Sequence, residues 1–170
     1  MSHEFGALGF GQPHHVGMVV PDLDKAIADM ADIGEWILFA TNPRRPDVDV
    51  GVPIIEETVE VPLKAAMSRE GPVHIELLEG VPGTIWSPRH EAYLHHLAYE
   101  VPQELLVDYS RQLEARGMVR ESTRVSGATT ALSAVYHRWP TGLRIELLVW
   151  GMTAGIVKTG SRHGEERLAR

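Results

Sequence analysis

A chain of 170 residues, 44% hydrophobic and 23% charged, is long enough to bury one sizeable core and is ordinary in composition for a globular protein. Its net charge of −7 argues against nucleic-acid or membrane-surface partners, because both polyanions would repel it. The absence of cysteine removes disulfides, thiolate catalysis and thiolate zinc sites together, so a metal bound here would need imidazole and carboxylate ligands. The opening Met1-Ser2-His3-Glu4-Phe5 has no basic stretch followed by an apolar run, and no apolar run is long enough to span a bilayer. A cytoplasmic location is therefore expected.

The first element in the chain is a strand at His14-His15-Val16-Gly17-Met18-Val19-Val20-Pro21. A helix is expected over Asp22–Ile33, with Leu23, Ala26, Ile27, Met30 and Ile33 at three- and four-residue steps, an acidic start and Gly34 as the stop. Asn42–Val50, with Pro43, Arg44, Arg45, Pro46 and Asp47, has the composition of an exposed loop, and Val52–Val61 that of a strand. Ile75-Glu76-Leu77-Leu78 is a further strand, followed by a linker carrying Pro82, Gly83 and Pro88.

A second strand-helix pair then begins. His95-His96-Leu97-Ala98-Tyr99-Glu100-Val101-Pro102 leads into a helix from about Gln103 to Arg116, striped by Leu105, Leu106, Tyr109 and Leu113 and stopped by Gly117. Thr129–Arg138 is expected as a strand, and Ile145-Glu146-Leu147-Leu148 closes the patterned region. The tail with Lys158, Arg162, Arg167 and Arg170 carries no periodicity and is expected to be an extension.

The two halves are versions of each other. The His-His blocks match in order at an offset of 81 residues, from His15 to His96. Nine histidines placed at random would give about 0.4 adjacent pairs, so two pairs in matched contexts are a signal. The closing Ile-Glu-Leu-Leu is repeated letter for letter at an offset of 70, from Glu76 to Glu146, which places 11 extra residues inside the first half. Each half therefore reads strand, helix, strand, strand, strand. The expected organisation is a first module over residues 11–80, a linker over 81–91, a second module over 92–150 and an extension over 151–170, packed as one compact domain.

Strand alternation predicts where the chemistry collects. His15, Gly17 and Val19 share one face, while Val16, Met18 and Val20 share the other with His14 and pack under the helix. By the same alternation His96, Ala98 and Glu100 lie on the open face and His95, Leu97, Tyr99 and Val101 beneath. Gly17 and Ala98 are small and leave room beside the two histidines. Glu76 and Glu146 sit among aliphatic residues, where an isolated carboxylate is costly unless a cation or metal compensates it. Two such carboxylates and two such histidines at repeat-equivalent positions can satisfy one another around one divalent ion.

On these motifs the chain resembles the vicinal-oxygen-chelate superfamily, which includes glyoxalase I, methylmalonyl-CoA epimerase, extradiol dioxygenases and fosfomycin-resistance proteins. The resemblance covers about residues 11–150. Gly71–Glu79, Pro82-Gly83-Thr84-Ile85-Trp86 and Leu94–Pro102 are most similar to its epimerase-leaning, glyoxalase-like branch. It implies an α+β fold of two tandem βαβββ modules forming a U-shaped, partly closed mixed sheet with the helices outside. His15, Glu76, His96 and Glu146 fall where the superfamily places its metal ligands. The implied cofactor is one divalent ion, with nickel, cobalt, zinc, manganese and iron all suited to the donor set.

The resemblance also implies a class of reaction. The ion acts as a Lewis acid on a substrate carbonyl, and Glu146 and Glu76 are the candidates to carry the proton lost from the adjacent carbon. The expected activity is that of a metal-dependent isomerase, epimerase or lyase on a small organic or acyl-CoA substrate. Two alternatives stand beside it: a binding protein that sequesters a drug or metabolite, and an iron-dependent ring-cleaving dioxygenase. A set of two imidazoles and two carboxylates, with Glu76 as a fourth ligand, speaks against the last, which needs an open three-ligand site. A homodimer is the expected assembly, with no nucleic-acid or membrane partner. Among the remaining residues, His14 and His95 are expected to face the core or orient their neighbours. Glu100, His74, His137, Trp86 and Trp139 are candidates to line the pocket. Glu79 is expected at the solvated rim, and His3, His90 and His163 in loops or tails.

Overall fold

The computed structural model describes residues 9–40, 63–125 and 132–151. The expected loop at Asn42–Val50, the expected strand at Val52–Val61 and the tail lie outside the described residues. The first half comprises β1 (His15–Val20), α1 (Leu23–Asp29), β2 (Trp36–Ala40), β3 (Lys64–Ser68) and β4 (His74–Glu79). The second comprises β5 (Tyr93–Val101), α2 (Leu106–Ala115), β6 (Val119–Val125), β7 (Leu132–Arg138) and β8 (Arg144–Val149). The strand, helix, strand, strand, strand order is thus present in both halves.

Local chemistry fixes the helix ends. The Asp22 side chain accepts from the Lys25 backbone N–H at 2.8 Å and caps α1, while the Glu79 carboxylate accepts from Leu23 N at 3.3 Å and pairs with Lys64 at 2.9 Å. Glu79 is therefore a helix-end partner as well as a rim charge. α1 stops short of the expected Ile33. Ile33 N bonds to Met30 O at 3.0 Å and the Trp36 indole N–H donates to the same carbonyl at 3.3 Å, so Met30 O is drawn out of the helical ladder into a turn. Ile33 is consequently exposed.

The second helix begins with a 3-10 turn over Gln103–Leu105, which rotates Leu105 to the exterior. Its buried stripe is Leu106, Ser110 and Leu113 rather than one that starts at Leu105. It ends on Gly117 at φ +86, where Met118 N returns to Leu113 O at 3.2 Å.

The eight strands form one mixed sheet in the order β2-β3-β4-β1-β5-β8-β7-β6, so β2 and β6 end it and the sheet is not closed. Within each half the first and last strands pair in parallel, β1 with β4 and β5 with β8, and the halves join through the antiparallel pair β1 and β5. Both helices pack on one face. α1 lies on Val20, Ala66 and Leu77 beside Met18, and α2 on Val101, Val135 and Leu147. The opposite face collects Val19, Ala65, Leu78, Trp86 and Tyr136. Among the described residues no helix is long and apolar enough to cross a membrane.

His137 sits on the helix-packed face, fully buried, with Nε2 2.9 Å from Ser110 Oγ of α2. It packs beneath α2, on the face opposite Tyr136. Burial, helped by the charge of Arg120, pushes its imidazole down to about 4. A group whose folded value lies below its unfolded value of about 6.5 leaves stability intact above that pH and removes it as the pH falls toward 4. The shift corresponds to about 3 kcal/mol lost over that window. Denaturant unfolding at pH 7, 5.5 and 4 should show this slope in the wild type, and His137→Gln should lack that part of it. An unchanged slope in the variant would show that His137 is not the titrating group.

Candidate metal centre

Sheet register brings the repeat-equivalent residues together. On the face away from the helices, His15, Ala98 and Glu146 are cross-strand neighbours on β1, β5 and β8. The adjacent row is Glu76, Gly17 and His96 on β4, β1 and β5. Each row carries one imidazole and one carboxylate with a small residue between them, and the rows are related as the two halves are.

The four functional ends converge. His15 Nε2 and His96 Nε2 lie 3.1 Å apart. Glu146 Oε2 is 3.3 Å from His15 Nε2 and 3.2 Å from His96 Nε2, and Glu76 Oε2 is 3.5 and 3.4 Å from the same two atoms. One ligand atom from each of the four lies within 4.8 Å of the others, and together they could hold a metal ion. All four are buried, with His96 at 0% and Glu76 at 7% exposure. On the face expected to be open, the four side chains are thus shielded from solvent.

The electrostatics call for positive charge. Burial alone would raise both carboxylates, but the two imidazoles beside them outweigh it and hold Glu76 and Glu146 below the ordinary range. Burial would likewise depress His15 and His96, yet the carboxylates drive both upward. Protonating both rings would set two N–H bonds head to head across 3.1 Å, so protons satisfy the cluster poorly. Glu76 Oε2 is moreover buried with no hydrogen-bond partner among the described residues. Donors about 2.1 Å from a common ion stand about 3.0–3.4 Å from one another in octahedral or tetrahedral arrangements. The five separations that involve the two rings, 3.1–3.5 Å, lie in or close to that range, so the residues present suit a divalent ion.

The neighbouring histidine sets the orientation of one ligand. His95 was expected on the helix side. Pairing instead passes from Gly17–His96 to Met18–Leu94, leaving His95 as a bulged residue on the same side as His96. Its ring stacks on Trp86 at 6.0 Å, and burial, with the nearby charges of His96 and Arg144, pushes it down to about 3. Neutral His95 donates from Nε2 to Ile85 O at 2.9 Å, so its Nδ1 can only accept. It accepts from His96 Nδ1 at 2.9 Å, which leaves the His96 Nε2 lone pair aimed at the centre. His14 stands 2.9 Å from His15 through their Nδ1 atoms in the corresponding relation.

The other expected pocket residues divide. Trp86 is buried against Tyr136 and walls the site. His74 lies beside His15 in the sheet, with Nδ1 donating to Ser68 O at 2.8 Å. Glu100 accepts from Gly151 N at 3.3 Å at the edge of the site face. Trp139 packs instead with the α2 core, and His90 is exposed. His3 and His163 lie outside the described residues. Tyr136, whose ring meets His96 edge-on at 5.2 Å, was not singled out from the sequence. Its signal was present only as register, since Tyr136 stands opposite Glu146.

Gly17 does more than leave room for a ligand. A Cβ built on it would lie 1.9 Å from His96 Cε1 and 2.4 Å from His96 Nε2, so the imidazole occupies the space that a side chain would need. Gly17→Ala should displace the ring, cost about 1–3 kcal/mol of stability from overpacking and lower divalent-metal content well below that of the wild type. Elemental analysis beside denaturant unfolding checks this. Full metal content in the variant would contradict the packing account.

The comparisons with known proteins agree with this architecture. The family model described as the glyoxalase/bleomycin resistance protein/dioxygenase superfamily matches residues 14–128. Among solved structures, a variant of methylmalonyl-CoA epimerase from Streptomyces coelicolor, in complex with 2-nitronate-propionyl-CoA, is 16% identical with a TM-score of 0.52, over 81% of this chain and 96% of that one. A variant of 4-hydroxymandelate synthase from the same organism is 15% identical with a TM-score of 0.54, over 81% of this chain and 38% of that one. Methylmalonyl-CoA epimerase from Mycobacterium tuberculosis is 22% identical with a TM-score of 0.47, over 81% and 87% of the two chains. At these identities the two likenesses with TM-scores above 0.5 are ones of fold. No curated protein gives a significant sequence match. With the family model matching more than half of its length, the chain belongs to the glyoxalase/bleomycin resistance protein/dioxygenase superfamily.

Proposed function

We propose that this protein is a divalent-metal-dependent isomerase, epimerase or lyase that removes a proton next to the carbonyl of a small organic or acyl-CoA substrate. The observation that carries the reading is the convergence of His15, Glu76, His96 and Glu146 in a buried cluster that calls for positive charge. These four residues would hold the ion. A divalent ion bound there supplies Lewis acidity toward a carbonyl oxygen.

The chain's own groups then account for the proton. Glu76 and Glu146 are the candidate carriers, because they are the two carboxylates of the cluster and stand in their ionised form between the two imidazoles. Glu76 Oε2 is the more weakly engaged of the two, 3.5 and 3.4 Å from the rings and without a hydrogen-bond partner among the described residues, which suits Glu76 to loosen from the ion and take up the proton. Glu146 Oε2, closer to both rings at 3.2 and 3.3 Å, suits the role of the fixed partner. Two carboxylates in unequal surroundings can divide the work in this way. Trp86 and Tyr136, buried beside His95 and His96, exclude water on one side.

The test is proton exchange in heavy water. The metal-replenished protein, incubated with a panel of 2-substituted acyl-CoA and hydroxycarbonyl compounds, should place deuterium on the carbon next to the carbonyl of at least one of them. Glu76→Gln should lower that exchange by about 10²–10⁴, and His96→Ala should abolish metal retention. Exchange that persists at the wild-type rate in Glu76→Gln, or none with any compound by a fully metal-loaded protein, would count against the proposal.

A further inference from the structure

On the site face the row that holds Glu76, Gly17 and His96 continues outward. Arg144 of β8 is the sheet neighbour of His96, and Arg138 of β7 is the neighbour of Arg144. With strands about 5 Å apart, the two arginines are rooted about 5 and 10 Å from His96 across the sheet. Both reach one carboxylate. Arg138 Nε donates to Glu121 Oε1 at 2.5 Å, and Arg144 Nε donates to Glu121 Oε2 at 2.7 Å. Glu121 is the extra residue at the break in β6–β7 pairing between Arg120 and Ser122, and this bulge turns it toward the arginines.

The balance of charge in this group is uneven. Two guanidinium groups face one carboxylate, which leaves an excess of +1 in a chain whose net charge is −7. Tying β6 to β8 would require only one arginine for one glutamate. Each guanidinium spends Nε on Glu121, and among the described residues neither terminal pair of nitrogens has another recorded partner. The side chains are partly open, Arg138 at 35% and Arg144 at 15%, so a solute can reach donors that are held in place. Arg89, exposed and 3.9 Å above the Tyr93 ring, adds a further cation that would steer an anion toward this rim.

We propose that Arg144 and Arg138, clamped by Glu121, bind a carboxylate of the substrate remote from its reacting carbon. An excess of one positive charge matches a monoanionic carboxylate, and side-by-side guanidinium edges match its planar pair of oxygens. The inference rests on the function proposed above and narrows it to substrates that carry a carboxylate at their far end.

Calorimetric titration of the full chain, with and without added cobalt(II), tests it. The probes are 2-oxoglutarate and 2-oxopentanoate, which share the metal-seeking end and differ in the distal carboxylate. The wild type should bind 2-oxoglutarate at least about tenfold more tightly. Arg144→Gln and Arg138→Gln should remove most of that preference while leaving 2-oxopentanoate binding and cobalt content unchanged. Arg144→Lys, which keeps the charge and loses the fork, should fall between and serves if the glutamine variant does not fold. No binding of 2-oxoglutarate, equal binding of the two probes, or a preference that survives in both glutamine variants would overturn the inference. Inorganic phosphate bound more tightly than 2-oxoglutarate, with the same arginine dependence, would overturn it in favour of a phosphate site. A preference for 2-oxoglutarate without cobalt uptake would defeat the metal-dependent function and leave the carboxylate site standing, whereas cobalt uptake without the preference would do the reverse.

Discussion

Two carboxylates buried in the middle of one sheet constrain everything around them. Glu76 and Glu146 stand on strands whose neighbouring positions are aliphatic, and burying an ionised carboxylate there is tolerable only with positive charge close by. The sheet provides two imidazoles at the required positions because β1 and β5 lie side by side at its centre, between β4 and β8. Neither half could do this alone, since each contributes one imidazole and one carboxylate. The antiparallel contact between the halves is therefore what creates the site, and the parallel β1–β4 and β5–β8 pairs set each carboxylate two residues along from its own histidine.

Small residues make that convergence physically possible. Gly17 and Ala98 occupy equivalent positions, one in each row, and each lies between an imidazole and a carboxylate. They are not interchangeable in the packing. The His96 ring lies over Gly17, whereas Ala98 packs with Ala134 and Leu148. The bulge at His95 breaks the symmetry in the same region. It turns a second histidine toward the site, where a chain of hydrogen bonds from Ile85 O through His95 fixes which nitrogen of His96 faces the centre.

Much of this was legible in the sequence because it depends on repetition and alternation. The matched His-His and Ile-Glu-Leu-Leu blocks identified both halves. Period-two alternation then placed His15 and His96 on the open face, repeat equivalence and the family resemblance added Glu76 and Glu146, and the four do meet. Features that depend on register were not legible. The bulge that redirects His95 arises from pairing with β1, and nothing in His95-His96-Leu97 alone announces it. Tyr136 and the arginine pair belong to the site face only through the register of β7 against β8. The early stop of α1 likewise depends on a tertiary hydrogen bond from Trp36 to Met30 O, which helical periodicity cannot anticipate.

The claim on which the account rests is that these two imidazoles and two carboxylates surround one divalent ion. X-ray absorption spectroscopy of the cobalt-loaded protein examines that shell directly. The account predicts one tightly held ion per chain with two imidazole nitrogens among its nearest neighbours, completed by oxygens at about 2.0–2.2 Å. A shell made only of oxygens, or cobalt held too weakly to survive gel filtration, would contradict it.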